Sequence, residues 1–148
     1  MAKPKRRRQL QVRLVSRCFI KRGDRRLLII RRPKNGSRHS GKWEVPGGKV
    51  EKGQNLIETR YREAQEETGL RTKATRHPVL VDDSAKAKHR KKPLRKVYFS
   101  ITRVAGGVFL LSDEHIDYRW VMYHQMLRYN LTPQVRLAAL MFEKYLRS

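Results

Sequence analysis

The chain reads as an α+β fold, a mixed β-sheet with helices packed on its faces. Three observations predict it. Apolar–polar alternation recurs in several short runs, and two of these are joined by a tight turn at Gly23-Asp24. Two longer stretches, one central and one terminal, carry helical spacing instead. The resulting order β, β, β, α, several β, α is dominated by hairpins, which suits a mixed sheet better than a purely parallel, doubly wound one. A length of 148 residues suits one domain with a real core.

Residues 1–8, "MAKPKRRR", are basic and contain Pro4, and they read as a disordered arm preceding a single domain over 9–148. "LQVRLVSRCFI" alternates from Leu10 to Ile20 as a half-buried strand. "LLIIRR" from Leu27 reads as a buried strand that closes the hairpin. Pro33 to Gly41 is a loop by composition. "KWEV" is a short strand halted by Pro46 and a turn at Gly47-Gly48. From Asn55 to Thr68 the positions Leu56, Ile57, Tyr61 and Ala64 follow near-helical intervals, and Gly69 stands as a C-cap. "ATRHPVLVDD" (Ala74 to Asp83) and "LRKVYFSITRV" (Leu94 to Val104) read as paired strands around a basic loop, and "DYRWVM" from Asp117 as a short strand. "YHQMLRYN" suggests a short helix. Thr132 to Arg147 reads as one helix with Thr132 at N-cap and Pro133 at N1, its apolar set Val135, Leu137, Ala138, Leu140, Met141 and Tyr145 facing a core.

The charge is lopsided: 36 Lys and Arg against 13 Asp and Glu, a net +23. Such an excess attracts polyanions, although it also serves solubility alone. The single cysteine, Cys18, lies in an apolar run and reads as a buried thiol rather than a nucleophile. No apolar run is long enough to span a membrane. The charged start has no apolar segment behind it and does not read as a secretory signal, so a cytoplasmic protein, monomer or homodimer, is the expectation.

Against this background, six of the 13 acids crowd between Glu44 and Glu67. Glu63, Glu66 and Glu67 stand at i, i+3 and i+4, on one helix face. At ~6 Å and an effective dielectric of about 20, each such pair repels by about 3 kcal/mol, less when solvated. Arg62 points elsewhere on the helix, so a hard divalent cation, Mg²⁺ or Mn²⁺, is the better counter-charge. The histidines and the lone cysteine lack zinc-ligand spacing. A solvated acidic face is the competing reading for three acids by themselves; the preceding glycine pair, which lets backbone approach a ligand, favours the cation.

With Gly48, Gln54, Arg62-Glu63, Glu66-Glu67 and Gly69-Leu70 in register, the stretch resembles the signature of the Nudix hydrolases, departing from it only at Gln54, where that signature has glutamate. "GKWEVPGG" is similar to the mutator-type branch that cleaves nucleoside triphosphates, oxidised ones included. The resemblance implies a sheet sandwiched between helices and Mg²⁺-dependent attack of water on a diphosphate linkage of a nucleotide. It implies Glu63 as base or base-orienting residue and possible ligand, Glu66, Glu67 and the Gly47 carbonyl as metal ligands, and Arg62 as a brace. Glu114 is the first choice for a further ligand from a later loop, ahead of Asp117 and Asp113. Lys49 and Arg31 (or Arg32) are expected near the phosphates, and Asn130 at the base. Gln54 is neutral and cannot act as a base; it implies reduced activity, or a module that binds nucleic acid with weak chemistry.

Trp43, Tyr98, Phe99, Trp120 and Tyr129 are candidates to stack a base, with core packing the commoner role for such rings. The basic run Lys86 to Lys96 suits non-specific RNA or DNA contact, as does the N-terminal arm. Trimming of an RNA 5′ end is the variant function this charge suggests.

Overall fold

The computed structural model describes residues 12–82 and 94–148. In chain order it contains β1 (Val12–Lys21), β2 (Leu27–Arg31), β3 (Trp43–Glu44), β4 (Gly47–Lys49), α1 (Leu56–Thr68), β5 (Leu70–Asp82), β6 (Leu94–Gly107), β7 (Asp117–Val121), α2 (Tyr123–Met126), α3 (Pro133–Met141) and α4 (Glu143–Leu146). The expected arm over 1–8 lies outside the described residues, as do Lys86, Lys88, Arg90, Lys91 and Lys92 of the basic run; Arg95 and Lys96 are on β6.

The sheet is built on β1. It pairs in parallel with β6 from Val12↔Leu94 to Lys21↔Arg103, and antiparallel with β2 at Lys21↔Leu27. The strand order is β3-β2-β1-β6-β5, with β7 added to β2 and β4 to β1. The sheet is therefore mixed, as the alternation predicts.

Because side chains alternate across a strand, β1 and β2 feed two cores. Val15, Phe19, Leu27 and Ile29 meet Met126, Val135, Ala138 and Leu146 of the C-terminal helices. Cys18, Ile20, Leu28 and Ile30 meet Ala64 of α1 and Leu70 on the other face. Helices on both faces make β1 buried on both sides from Val15 to Ile20, apart from the half-buried Arg17, where alternation alone predicts a half-buried strand.

Helix α1 has the expected caps. The Asn55 side chain accepts from the Glu58 N–H at 2.8 Å, and Gly69 takes the left-handed conformation at φ 73°. Its inward face differs from the expected apolar set. Ile57 and Tyr61 are exposed, while Thr59, Arg60, Ala64, Glu67 and Thr68 are buried. Polar contacts set its rotation: Ser16 Oγ donates to the Leu56 carbonyl at 2.7 Å, and Glu67 reaches the Gly47 amide.

Three further elements depart from the sequence reading. The Gly47-Gly48 pair is not a turn but the start of β4, paired with β1 at Arg17↔Gly47 and Ser16↔Gly48. Strand β5 begins directly after the α1 cap, four residues before the alternating run, because Leu70 already pairs with Gly107. The terminal helix breaks at Phe142, whose φ of −102° and ψ of 15° divide α3 from α4. Thr132 makes no side-chain cap bond there, and Leu137, Leu140 and Met141 are exposed rather than core-facing. Val135, Ala138, Ala139 and Leu146 carry the packing instead. None of the helices in the described residues is long and apolar enough to cross a membrane.

The segment between β6 and β7 lies across the end of α1: Leu110 N–H donates to the Thr68 carbonyl and Ser112 N–H to that of Glu67, each at 2.9 Å. A Cβ on Gly69 would stand 2.2 Å from the Val108 carbonyl oxygen, at a left-handed φ that penalises any L side chain. Gly69→Ala is expected to lower unfolding free energy by about 2 kcal/mol or more. Urea denaturation reads this as a reduced midpoint at unchanged slope; an unchanged midpoint contradicts the packing described.

Candidate active site

The site forms where β4 replaces β2 along the edge of β1 and α1 lies against both. Neither Gly47 nor Gly48 has a positive φ, so the pair does not serve an unusual backbone shape. It serves close approach. A Cβ on Gly48 would stand 2.5 Å from the Glu63 carboxyl carbon, and one on Gly47 2.4 Å from Arg17 Cγ. Bare backbone at Gly48 lets the Glu63 carboxylate press against the strand, and at Gly47 it lets β4 lie close against Ser16 and Arg17 of β1.

The three helix glutamates, expected on one face, occupy three depths. Glu67 is 5% exposed and accepts a long bond of 3.4 Å from the Gly47 N–H. Burial drives its carboxyl up to about 9; Arg17 opposes this, while Glu44 and Glu63 reinforce it. Glu63 sits at the rim and accepts from Arg62 Nη2 at 3.1 Å. Burial raises its carboxyl also, the Arg62 bond opposes, and the charges of Glu66 and Glu114 add to the rise. Glu66 is mostly solvated, with Arg62 Nε 3.7 Å away.

Arg62 is a hub rather than a side chain turned away. It donates from Nη1 to Gln54 Oε1, pairs with Glu63 and lies 3.6 Å from Glu51. Gln54 therefore uses its carbonyl oxygen as an acceptor for Arg62, which needs no negative charge.

The acidic window held a further buried carboxylate whose surroundings the sequence did not reveal. Glu44 is buried and lies 3.1 Å from Arg32, 3.6 Å from Arg17 and 3.4 Å from His115 Nε2. Burial alone would raise its carboxyl, but Arg17, the His115 bond and Arg32 outweigh it and hold it down near 2. Arg17 is a further residue that the sequence did not single out: it is one polar position among several in an alternating strand, with no signal that sets it apart.

The other expected positions divide. Glu114 is exposed on the β6–β7 segment, close enough for its charge to act on Glu63. Asp117 pairs with Arg119 on β7 at 2.5 Å. Lys49 is exposed on β4 beside the glycine pair. Arg31 is not brought to the carboxylates: its Nε donates to the Gly41 carbonyl at 2.9 Å, and Arg32 takes the position beside Glu44. Asn130 is exposed and its carbonyl accepts from Trp43 N–H at 2.9 Å. Of the aromatic candidates, Phe99 is core, Trp120 packs against Phe109 and Trp43 meets Tyr129 edge-on with ring centres 5.1 Å apart. Cys18 is fully buried, and burial pushes its thiol up to about 12, so it is inert as expected.

Glu63, Glu66 and Glu67 offer carboxylate oxygens, the ligand type a hard cation takes. Among the described residues no three acids, histidines or cysteines form a ready-made cage; a cation that keeps waters and shares substrate oxygens does not require one. Burial raises the Glu67 carboxyl further than Arg17 can offset, and a bound cation would favour its ionised form.

Known proteins are similar in sequence and in fold. The NUDIX domain model matches residues 12–141. An 8-oxo-dGTP diphosphatase of Buchnera aphidicola subsp. Schizaphis graminum is 32% identical over 88 residues, covering 60% of this chain and 62% of that relative, so the chain spans less than two thirds of its length. The nucleoside triphosphatase NudI of Escherichia coli is 28% identical over 127 residues, covering 80% of this chain and 89% of that one. A crystal structure of a MutT NUDIX hydrolase from Burkholderia pseudomallei matches with a TM-score of 0.69 at 27% identity, over 88% of this chain and 97% of that chain. With nearly its whole described length under the family model and its glutamate helix docked on the glycine strand, the chain belongs to the NUDIX family.

Proposed function

We propose that the protein hydrolyses a diphosphate linkage in a nucleotide, a nucleoside triphosphate being the leading substrate class, with Mg²⁺ or Mn²⁺. The observation that carries this reading is the buried Glu67 carboxyl, raised to about 9 beside the Gly47 amide with Glu63 at its rim. The names of the relatives, a diphosphatase and a triphosphatase, support the substrate class. Glu67 and Glu66, with the Gly47 carbonyl and Glu114, would hold the cation. When bound, it would polarise the phosphoryl oxygens and acidify a water.

In this reading Glu63 takes the proton of the attacking water as its oxygen bonds to phosphorus and the bridging P–O bond breaks. Burial raises its affinity for protons, the direction a proton-accepting role needs. Arg62 orients Glu63, and Gln54 anchors Arg62. Lys49 would meet phosphate oxygens from the exposed edge of β4.

A screen of nucleotides with Mg²⁺ and with EDTA tests the proposal. Metal-dependent release of phosphate or pyrophosphate is expected; no turnover of any nucleotide, even by Gln54→Glu, contradicts it. Glu63→Gln and Glu67→Gln should each lower kcat by about 10²–10⁴-fold. Gln54→Ala, which leaves Arg62 unanchored, should lower kcat by about tenfold, whereas Gln54→Glu should stay within several-fold of the parent because the acceptor oxygen is retained.

Stability should depend on pH in a defined direction. The folded-state value of Glu67 is raised above its ordinary 4.5, so its contribution is full below about pH 4.5 and is lost as the pH rises through about 9. Glu44 runs oppositely: its contribution is present above its ordinary 4.5 and lost as the pH falls through about 2. Thermal melts without divalent cation should therefore show Tm falling from pH 5 to pH 9 in a manner that Glu67→Gln flattens; an equal slope in both proteins contradicts the assignment.

A further inference from the structure

Strand β1 ends at Lys21, and Phe19, buried against the C-terminal helices, separates that end from Arg17. A surface cavity of about 430 Å³ lies there, its lining including Lys21, Arg22, Arg76, Arg103 and Tyr145 and, among the described residues, no Asp or Glu. The cations are set in register. Lys21 of β1 stands opposite Arg103 of β6, and Arg103 stands opposite Lys73 of β5. Three positive side chains therefore form a row across three adjacent strands. Like charges directly opposite one another destabilise a sheet. Lys21 is engaged in part, since it donates to the Tyr145 carbonyl at 2.7 Å and to that of Ser148. Asp24, at the adjoining turn, is taken by Arg22 and Arg26. Lys73, Arg76 and Arg103 are exposed and have no carboxylate within ion-pair distance among the described residues.

The shape and chemistry of this surface indicate what it takes. Neighbouring strands lie about 4.8 Å apart, so the row spans about 10 Å and suits successive anions of a chain better than one small anion. Guanidinium forks match phosphate oxygens in charge and shape. Arg76 adds a planar group: its guanidinium lies 3.9 Å from the centre of the Tyr145 ring. Held over that ring and exposed, it offers a surface on which a base can stack. A membrane surface would instead call for exposed apolar side chains. The described lining has none, since Ile101 is buried and Val104 half-buried.

We propose that this surface binds single-stranded nucleic acid, with Lys73 and Arg103 on backbone phosphates and Arg76 stacked on a base. It is separate in sequence from the N-terminal arm and from the basic run Lys86 to Lys96. It takes no part in the diphosphate chemistry and stands whether or not the protein is a hydrolase.

Fluorescence anisotropy with a labelled short oligouridine tests this; a 5′-hydroxyl end leaves the strand no diphosphate linkage to cleave. Arg76→Ala and Arg103→Ala should each weaken binding by about tenfold. Lys52→Ala removes one exposed charge from the β4–α1 loop, outside this cavity, and should change binding by less than about twofold. Arg103→Ala should also reduce the slope of log K against log salt by about 0.7, the value of one phosphate contact on a single strand. Arg76→Lys keeps the charge and loses the plane. It should keep the salt slope, weaken the oligouridine by about fivefold and leave an abasic strand of the same length unaffected. Equal weakening by all three alanine variants would show attraction by net charge alone and overturn the site, as would a parent protein that does not bind the oligouridine. An Arg76→Lys effect of the same size on the abasic strand would refute the stacked base. Polyglutamate, or vesicles containing phosphatidylserine, bound as tightly and with the same dependence on Arg76 and Arg103 would refute nucleic acid as the partner.

Discussion

The site depends on how closely α1 lies against the β1–β4 pair. At Gly48 there is no room for even a methyl group between strand and helix, because the Glu63 carboxyl occupies that space. The same approach brings Glu67 beneath the Gly47 amide and out of water. Caps at Asn55 and Gly69 fix the length of the helix, and the Ser16 bond to the Leu56 carbonyl fixes its start against the sheet. Exposed Ile57 and Tyr61 follow from this: the inward face is given to carboxylates and small residues.

Two buried carboxylates then meet opposite fates a short distance apart. Glu44 has two guanidiniums and an imidazole and stays ionised, whereas Glu67 has only the more distant field of Arg17 and a long amide bond and holds its proton. Desolvation is the leading influence on both; local cations decide the outcome. Such a divergence is unfavourable for a purely structural pair and useful for a site that must accept a cation and a phosphate chain together. Arg62 extends the same logic outward by joining Gln54, Glu51, Glu63 and Glu66, so the rim is ordered by one guanidinium instead of by mutual repulsion of acids.

Much of this was legible in the residues. Alternation over Leu10 to Ile20, the Gly23-Asp24 turn and the capped run Asn55 to Thr68 all correspond to real elements, and the mixed sheet between helices follows from their order. What escaped the sequence is long-range. The parallel pairing of β1 with β6 joins segments far apart in the chain, and helices packed on both faces of the sheet turn an alternating strand into one largely buried on both sides. Helical spacing located α1 but not its rotation, since Ser16 and Gly48 are contributed by other strands. The break at Phe142 has no proline or glycine to announce it. In the site, the glutamate spacing pointed to Glu63, Glu66 and Glu67, but not to their different depths. Glu44 with Arg17 could be found only in three dimensions, because 27 positions separate the partners. Arg31 and Arg32 are neighbours on the chain with opposite directions, and only the strand pairing tells which one faces Glu44.

The central claim is that the fold holds the Glu67 carboxyl in a dry, glycine-walled position awaiting a cation. Carbon-13 NMR of the side-chain carboxyls, titrated with and without Mg²⁺, addresses it most directly. The account predicts that Glu67 alone titrates near 9 in the metal-free protein, and that Mg²⁺ moves its titration below neutrality while Glu44 stays ionised throughout. A Glu67 that titrates in the ordinary carboxylate range and does not respond to Mg²⁺ would contradict it.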